Sequence, residues 1–319
     1  MNKRNFIILI TLLCCCTTLL ASTWRVNNSP SVNADFNNLE TALQSEQVLA
    51  GDTLYVESSP YVYDINDIVK KVTLIGPGYY LTQNPNTQEN KAVAMVKVTS
   101  TSGLYILAAG VRCEGITFDN NYLYICADNI TLKRCYANYI YWGNKTAGAQ
   151  VVKNSVITQC ITDNIEGNTT SNDYPDGALI TNNITKGISY VYNAVIEHNT
   201  CIGGSIRQTN GNGSIRHNVM LYALVAGENG TMTIDNNYKY ESTDFVSASS
   251  SPDGKYQLSS SSSLKTKGPD GKEVGAFGGS SPYILSGLPN VPHIYEIIAP
   301  VSASAVSGLD VTVKIATEK

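Results

Sequence analysis

The sequence has few of the features that most often identify a function. Charged residues make up 15% of the 319 residues, and the formal net charge is −4 with no basic run. This low and slightly acidic charge argues against a nucleic-acid or anionic-lipid partner. There is no Cys-x-x-Cys pair, so a zinc ribbon is not expected. No segment after the first 22 residues has 18 consecutive apolar residues, so no transmembrane helix is predicted there.

The first 22 residues have the pattern of a secretory signal peptide. A positive start (MNKR) precedes an apolar run of about 15 residues, and Leu20–Ser22 offers small residues for cleavage. We therefore expect a secreted, periplasmic or cell-surface protein after cleavage. Lipoprotein processing at Cys14 is the less favoured alternative, because Leu13 precedes it where such signals have Gly, Ala or Ser.

One short pattern recurs between residues 116 and 237: an apolar residue, two variable residues, then Asn or Cys. Its seven copies end at Asn121, Cys135, Cys160, Asn183, Asn199, Asn218 and Asn237. The mean spacing is about 19 residues, and the intervals vary from 14 to 25. Helical-hairpin repeats are longer and more regular, whereas coils of short strands tolerate turns of different lengths.

These segments are rich in Ile, Val, Thr and Tyr, which predicts short strands stacked into a parallel β-helix. The apolar residues would stack inside, and the recurring Asn would form a hydrogen-bonded ladder at a bend. Cys135 and Cys160 would occupy the ladder position as small buried thiols. Before the repeats, Phe36, Leu39 and Leu43 predict an amphipathic helix within 35–49 that caps the open end of the solenoid.

Four parts of the chain resemble secreted right-handed β-helix proteins of the pectate-lyase-like group. FNNLETALQ…GDTLYV…VKKVTLIGPG is similar to their opening, and AAGVRCEGITFDNN is similar to an inner coil. YQLSSSSSLKTKGPDGKEVGAFGG resembles the closing segment of bacterial members, although Ser262-Ser263 stands for Ser-Pro and Glu273-Val274 for Asp-Ile. SPYILSGLPNVPHIYEI resembles an extension on secreted proteins of gut-type bacteria.

The resemblance implies an all-β fold, namely a right-handed parallel β-helix (solenoid) with an N-terminal capping helix and a C-terminal strand-rich extension. We accordingly divide the chain into a signal peptide (1–22), the β-helix (23–279) and a C-terminal β extension (280–319). Lyases, hydrolases and non-catalytic surface proteins all use this fold, so the fold alone specifies function poorly.

The catalytic residues of these enzymes are incomplete in this sequence. The paired aspartates, Gly-His-Gly and Arg-x-Lys of pectin hydrolases do not occur. Related lyases that cleave uronate chains use a Lys base and an Arg about one coil apart, and Lys186 and Arg207 fit that spacing. Arg216-His217 resembles the Arg-His pair of those lyases. A Gln follows Arg207 and an Asn follows His217, however, so solvated surface cations are the alternative interpretation.

The acidic residues closest to a calcium site are Asp173 and Asp176 in SNDYPDGAL. Pro-Asp-Gly is also a turn signal, and a turn is the favoured interpretation. We expect no metal ion and no cofactor, with Ca²⁺ as an option only if the protein is a lyase.

Tyrosine is abundant, with 20 Tyr against 5 Phe. NYIYW places Tyr139 and Tyr141 on one face of a strand, with Trp142 beside them. Outward aromatic pairs can stack on the apolar faces of sugar rings, and these residues are therefore candidate ligand-binding residues. The alternative is ordinary strand composition, because tyrosine is a favoured strand residue.

A second candidate set lies in AVIEHNTC, at residues 194–201. The repeat places Glu197 one coil from Arg216, and His198 one coil from His217. We therefore expect an exposed Glu–Arg pair beside two stacked histidines, which is a site only if a groove gathers around it.

Two functions remain open. The favoured one is a secreted or cell-surface β-helix protein without catalytic activity that binds polysaccharide along a sheet face. The alternative is a polysaccharide lyase that acts by β-elimination on uronate-containing chains. The sequence does not predict the oligomeric state.

Overall fold

Short strands coil into a right-handed parallel β-helix, as the sequence predicts. The computed structural model describes residues 21–99, 101, 103–143, 151–167, 174–224, 230–246, 250–302 and 308–317. Nearly all of the predicted signal peptide lies outside these described residues, and the domain boundaries at 22 and 279 stay predictions. None of the described helices is long and apolar enough to cross a membrane.

The first large sheet, sheet A, is built from short parallel strands of successive coils. Within the described residues, its order is Thr23–Val26, Thr53–Val56, Thr73–Ile75, Arg112–Glu114, Thr131–Lys133, Val156–Thr158, Leu179–Thr181, Val195–Glu197, Ser214–Arg216 and Thr233–Asp235. In the three-residue strands from Thr131–Lys133 to Ser214–Arg216, the central residue points inward because side chains alternate across a strand. Leu132, Ile157, Ile180, Ile196 and Ile215 therefore stack in register, each fully buried.

The second large sheet, sheet B, contains longer strands near the N-terminal end and shorter ones towards the C-terminal end. Its described strands are Tyr63–Asp64, Met95–Lys97, Gly103–Ile106, Thr117–Ile125, Tyr136–Trp142, Ile161–Gly167, Ile184–Thr185, Gly187–Ser189, Thr200–Cys201, Ile206–Arg207, Val219–Met220 and Tyr238–Lys239. Sheets A and B enclose one continuous apolar core.

The remaining elements are small. Val151–Lys153 pairs with Tyr174–Asp176 in parallel, and His293–Ile298 pairs with Thr312–Ala316 antiparallel near the C-terminus. Single 3₁₀ turns cover Ser242–Asp244, Gly254–Tyr256, Ser263–Thr266, Pro269–Gly271 and Leu285–Gly287.

The predicted N-terminal helix is present but shorter than its window, at Leu39–Gln44. Asn38 caps it, since its side chain accepts a hydrogen bond from the backbone N–H of Thr41. The helix does not extend back to Phe36, because that residue forms a strand-like bridge with Val26. Leu39 and Leu43 are buried against the core, so the helix covers the first coils as expected.

The predicted asparagine ladder runs through Asn183, Asn199, Asn218 and Asn237. Each of the first three side-chain amides donates to the side-chain oxygen of the next residue at 2.9–3.0 Å. The column continues backwards into Cys160, whose backbone N–H donates to Asn183 Oδ1 at 2.8 Å. A buried amide needs partners for both of its ends, and the ladder supplies them in successive coils.

The first predicted repeat, which ends at Asn121, is out of phase with the others. Phe118 aligns with Ala137 in sheet B, whereas the true counterpart of Leu132 in sheet A is Cys113. The ladder position of that coil is therefore Ile116. An isoleucine stands there in place of the recurring Asn or Cys, so the sequence pattern does not reveal this position. The two coils that follow agree with the prediction, because Cys135 and Cys160 occupy the ladder column. All the described cysteines are free and buried.

The residue before the ladder position turns the chain from sheet A into sheet B. It has a positive φ of 50–67° in Gly115, Arg134, Gln159, Asn182, His198, His217 and Asn236, here called the turn column. This left-handed conformation is unfavourable for residues other than glycine, so the surrounding structure must hold it in place.

Residues 274–290, here called the clasp, run along the turn column in the direction opposite to the coils. The backbone N–H of Gly275 donates to His217 O at 2.9 Å, and that of Tyr79 donates to Ser286 O at 2.8 Å, much nearer the N-terminal end. Between these points, Asn182 Nδ2 donates to two clasp carbonyls at 3.0 and 2.8 Å. Arg134 Nη1 donates to a third at 2.8 Å. The clasp thus ties several coils together along one edge.

Candidate functional site

Five tyrosines form a continuous aromatic surface on the outer side of sheet B, here called the tyrosine face. Tyr105, Tyr124 and Tyr141 occupy one register column, and Tyr122 and Tyr139 occupy the adjacent column. Tyr105 and Tyr124 are stacked with ring centroids 4.5 Å apart, and the other neighbouring rings lie 5.4–6.0 Å apart. All five rings are half-buried, so one side of each remains accessible to solvent.

The alternation of the strands produces this surface. NYLYI at 121–125 and NYIYW at 138–142 each place two tyrosines outward around an inward Leu123 or Ile140, which are almost completely buried. Glycine leaves space for the rings, because a Cβ at Gly103 or Gly143 would lie 2.6 or 2.8 Å from the ring of Tyr124. Sequence reasoning identified Tyr139 and Tyr141 but missed the same pattern one coil earlier.

The hydroxyl groups of Tyr124 and Tyr141 stay protonated at neutral pH. Burial, followed by the neighbouring tyrosines, raises the pKa of Tyr124 to about 12. Burial and then Glu166 also raise the pKa of Tyr141. The face therefore offers neutral rings and hydroxyl donors, which suits an uncharged, hydroxyl-rich ligand surface.

The predicted aromatic neighbour Trp142 does not belong to this surface. It is completely buried, and its indole N–H donates to Ser155 Oγ at 3.2 Å inside the coil. Tyr141 points outward, so the period of two places the next residue inward. The prediction that Trp142 is an exposed ligand-binding residue is therefore wrong.

Beyond the tyrosines, the same outer columns become polar. Tyr141 pairs in register with Glu166, Glu166 with Ser189, and Ser189 with Arg207. Glu166, Ser189 and Arg207 line a groove of about 380 Å³, which follows the tyrosine face towards the C-terminal coils. Lys186 lines the same groove, so the structure brings together the two cations that the sequence spacing had singled out.

Glu166 and Arg207 stand at the two ends of this polar stretch. Burial raises the pKa of the half-buried Glu166 carboxyl, although the nearby Arg207 acts in the opposite direction. Arg207 is exposed, and within the described part of the chain its guanidinium has no hydrogen-bond or ion-pair partner. An arginine has five N–H donors, and those of Arg207 remain available to a ligand.

Lys186 differs from Arg207 because its ammonium group is already paired. Its Nζ lies 2.9 Å from a carboxylate oxygen of Asp163. The hydrogen bond that Lys186 donates to Asp163, together with the charge of that carboxylate, raises the pKa of Lys186, although burial acts in the opposite direction. A lysine that removes a proton at neutral pH needs a lowered pKa, so this environment opposes a role as general base.

Arg216, His217, Glu197 and His198 lie elsewhere, on sheet A and in the turn column. Arg216 Nε is 3.6 Å from Glu197 Oε1, and the two imidazole rings stack with centroids 5.0 Å apart. Both pairings confirm the predicted side-by-side columns. His198 itself is buried, because Gly278 and Gly279 of the clasp lie against its ring and leave the residue only 8% exposed.

No metal site is formed by the residues that the structure describes, since no three His, Cys, Asp or Glu side chains there are grouped to hold an ion. Asp173 lies outside the described residues, and Asp176 Oδ1 accepts a hydrogen bond from Asn193 Nδ2 at 2.6 Å. The calcium option stays a prediction.

No known protein-family model matches this chain, and no curated protein matches it at a significant level. The fold and the geometry of sheet B are therefore the features from which its function is inferred.

Proposed function

We propose that this protein is a secreted or cell-surface β-helix protein without catalytic activity that binds polysaccharide along the outer side of sheet B. The observation that carries the proposal is the tyrosine face, which continues in register into a polar groove. Sugar rings have apolar faces that stack on aromatic rings, and their hydroxyls pair with polar groups at the edges. A sheet face on which an aromatic surface is followed by a polar groove suits an extended polysaccharide chain.

The fold supports this proposal without deciding it. Parallel β-helices are common among proteins that act on carbohydrates, and the sequence resembles the pectate-lyase-like group in its opening, inner coil and closing segment. One fold serves several functions, so the argument depends on the site.

Secretion is supported by the pattern of the first 22 residues. Expression of the full chain in a bacterial host, followed by fractionation and N-terminal sequencing, tests it. The expected result is a cleaved protein that begins near residue 23. A cytoplasmic protein that retains Met1 would contradict this part of the proposal.

The binding test compares the wild-type protein with a Tyr139→Ala/Tyr141→Ala double variant on a panel of immobilised polysaccharides. Loss of two stacking rings should weaken binding by about tenfold or more. The matched control is Tyr174→Ala/Tyr192→Ala, which removes another half-buried tyrosine pair, with centroids 4.4 Å apart, outside the tyrosine face. Melting temperatures establish that each variant is folded.

Two results would contradict the proposal. The wild-type protein could bind no polysaccharide, or both double variants could lose affinity equally. The second result would indicate that loss of tyrosine, and not its position, affects binding.

A polysaccharide lyase is the second candidate, because Lys186 and Arg207 line one groove. β-Elimination leaves a double bond that absorbs in the near ultraviolet, so absorbance during incubation with uronate polysaccharides, with and without Ca²⁺, tests it. Turnover that Lys186→Ala abolishes would replace the non-catalytic proposal. The pairing of Lys186 with Asp163 leads us to expect no turnover.

A further inference from the structure

We infer that the groove between Glu166 and Arg207 is a subsite for a sugar with an anionic substituent, either a carboxylate or a sulfate ester. This inference rests on the proposed polysaccharide binding and names the chemical group that the polar end of the site selects. The tyrosine face would hold neighbouring sugars of the same chain.

Most of the described arginines already have a hydrogen-bond or ion-pair partner for their guanidinium group. Arg25 and Arg216 pair with glutamates, and Arg134 is buried and bonded to the clasp. Among the described arginines, only Arg112 and Arg207 have a guanidinium group with neither a hydrogen-bond nor an ion-pair partner. Arg112 lies on sheet A, whereas Arg207 lines the groove that extends the tyrosine face. A planar guanidinium with free donors is suited to carboxylate and sulfate oxygens.

Small residues and backbone form the floor of the groove between Glu166 and Arg207. Glu166, Ser189 and Arg207 lie on three consecutive strands, so their backbones span about 10 Å at ~4.8 Å per strand. The middle position carries the small side chain of Ser189, and Gly187 lies beside it. A Cβ at Gly187 would lie 3.1 Å from Ser205 O, so the backbone itself forms this part of the floor. A sugar ring therefore has space between the two charged ends.

The charged side chains of the site lie at the two ends of the groove and not on the tyrosine face. The tyrosine face has no charged side chain, and Lys186 is neutralised by Asp163 at 2.9 Å. Glu166, at the near end of the groove, repels an anion and can accept hydrogen bonds from sugar hydroxyls. Arg207, at the far end, attracts an anion. The ligand is thereby oriented, with its anionic group at Arg207 and uncharged sugars towards Tyr141.

Isothermal titration calorimetry with two matched pairs of ligands tests the inference. One pair is an oligouronate and its fully methyl-esterified form, and the other is a sulfated oligosaccharide and its desulfated parent. The wild-type protein should bind the anionic member of at least one pair about 10- to 100-fold more tightly. The pair that shows this preference identifies the anion as carboxylate or sulfate. High salt should reduce the preference.

The variants locate the effect. Arg207→Gln should remove the preference and leave binding of the neutral member unchanged within about twofold, since that loss is confined to one charge-assisted contact. Arg112→Gln is the control, because it removes a guanidinium that is likewise exposed and unpaired but lies on sheet A. It should leave the preference intact.

Three results would overturn the inference. Wild-type protein that binds neutral and anionic members equally contradicts the subsite but leaves the proposed function standing. A preference that persists in Arg207→Gln, or disappears in Arg112→Gln, contradicts the role of Arg207. Binding of no oligosaccharide at all contradicts the proposed function and, with it, the subsite.

Discussion

The turn column and the tyrosine face run along the same coils, but their side chains differ in what they contact. In the turn column, Arg134, Gln159 and Asn182 all donate hydrogen bonds to the clasp, and His198 is covered by it. On the tyrosine face, half-buried rings stack on one another and lead to the unpaired guanidinium of Arg207. Polar groups whose partners lie inside the chain serve stability, whereas exposed groups that lack partners are candidates for binding.

This comparison predicts that variants in the turn column lower stability without changing affinity. Variants on the outer side of sheet B should lower affinity for the polysaccharide without changing stability. The expected changes in the free energy of unfolding decrease in the order Arg134, Asn199, His198 and Arg216.

Arg134→Met should have the largest effect on stability. The buried side chain is 2% exposed and bonds Gln159 at 2.9 Å as well as a clasp carbonyl, so its loss leaves buried acceptors unpaired. The free energy of unfolding should fall by about 3 kcal/mol, as measured by urea denaturation. Arg112→Met, at an exposed position, should change it by less than about 0.5 kcal/mol. Equal effects of the two variants would contradict a structural role for the clasp.

Asn199→Ala should have the next largest effect. Its side chain donates to Asn218 Oδ1 and to two backbone carbonyls, and it accepts from Asn183. Loss of these buried bonds should lower the free energy of unfolding by about 2 kcal/mol. Asn237→Ala, at the more exposed end of the same ladder, should cost about 1 kcal/mol. A larger loss at Asn237 would contradict the dependence on burial.

His198 should make stability depend on pH. Burial, and then His217, lowers its pKa from 6.5 to about 4 in the folded protein. As the pH falls, the unfolded chain takes up this proton first, so the stability present above pH 6.5 is lost between pH 6.5 and about 4.

The matched variant is His198→Asn, because Asn182 and Asn236 adopt the same left-handed conformation in this column. It should reduce the loss of unfolding free energy between about pH 7 and about pH 4.5 by on the order of 1 kcal/mol. Denaturant titrations at both pH values measure this difference. An unchanged pH dependence would show that the pKa of His198 is not lowered in the folded protein.

Arg216→Gln should have the smallest effect. Its pair with Glu197 is 3.6 Å long and its side chain is 44% exposed, so solvent screens the attraction. The free energy of unfolding should change by less than about 0.5 kcal/mol. Affinity for the polysaccharide should not change, because Arg216 lies on sheet A. Reduced affinity would place a second ligand surface on that sheet.

Much of the fold could be predicted because its signals are local. A strand of three residues with one apolar centre, followed by Asn, already indicates an inward residue and a ladder position, as at Ile196 and Asn199. The prediction fails at Phe118, where the same pattern belongs to sheet B, since the pattern alone does not reveal the phase of a coil.

The site was predictable only in part. Tyr139 and Tyr141 follow from alternation, and Tyr122 and Tyr124 could have been found from the repeated NYxY pattern. Tyr105, which joins them through strand register, carries no such pattern. Glu166 was missed because it stands beside Tyr141 only when coils of unequal length are aligned.

The sequence by itself determined the β-helix, its inward residues and its asparagine ladder, because these depend on spacing within one coil. Only the tertiary structure decided which polar groups are paired. The clasp comes from residues 274–290 and covers turns as distant as Arg134 and His198. Contacts between such distant segments depend on how many coils lie between them and on the direction in which the clasp returns. They separate the buried His198 from the available Arg207, although the sequence presents both as isolated polar residues near short strands.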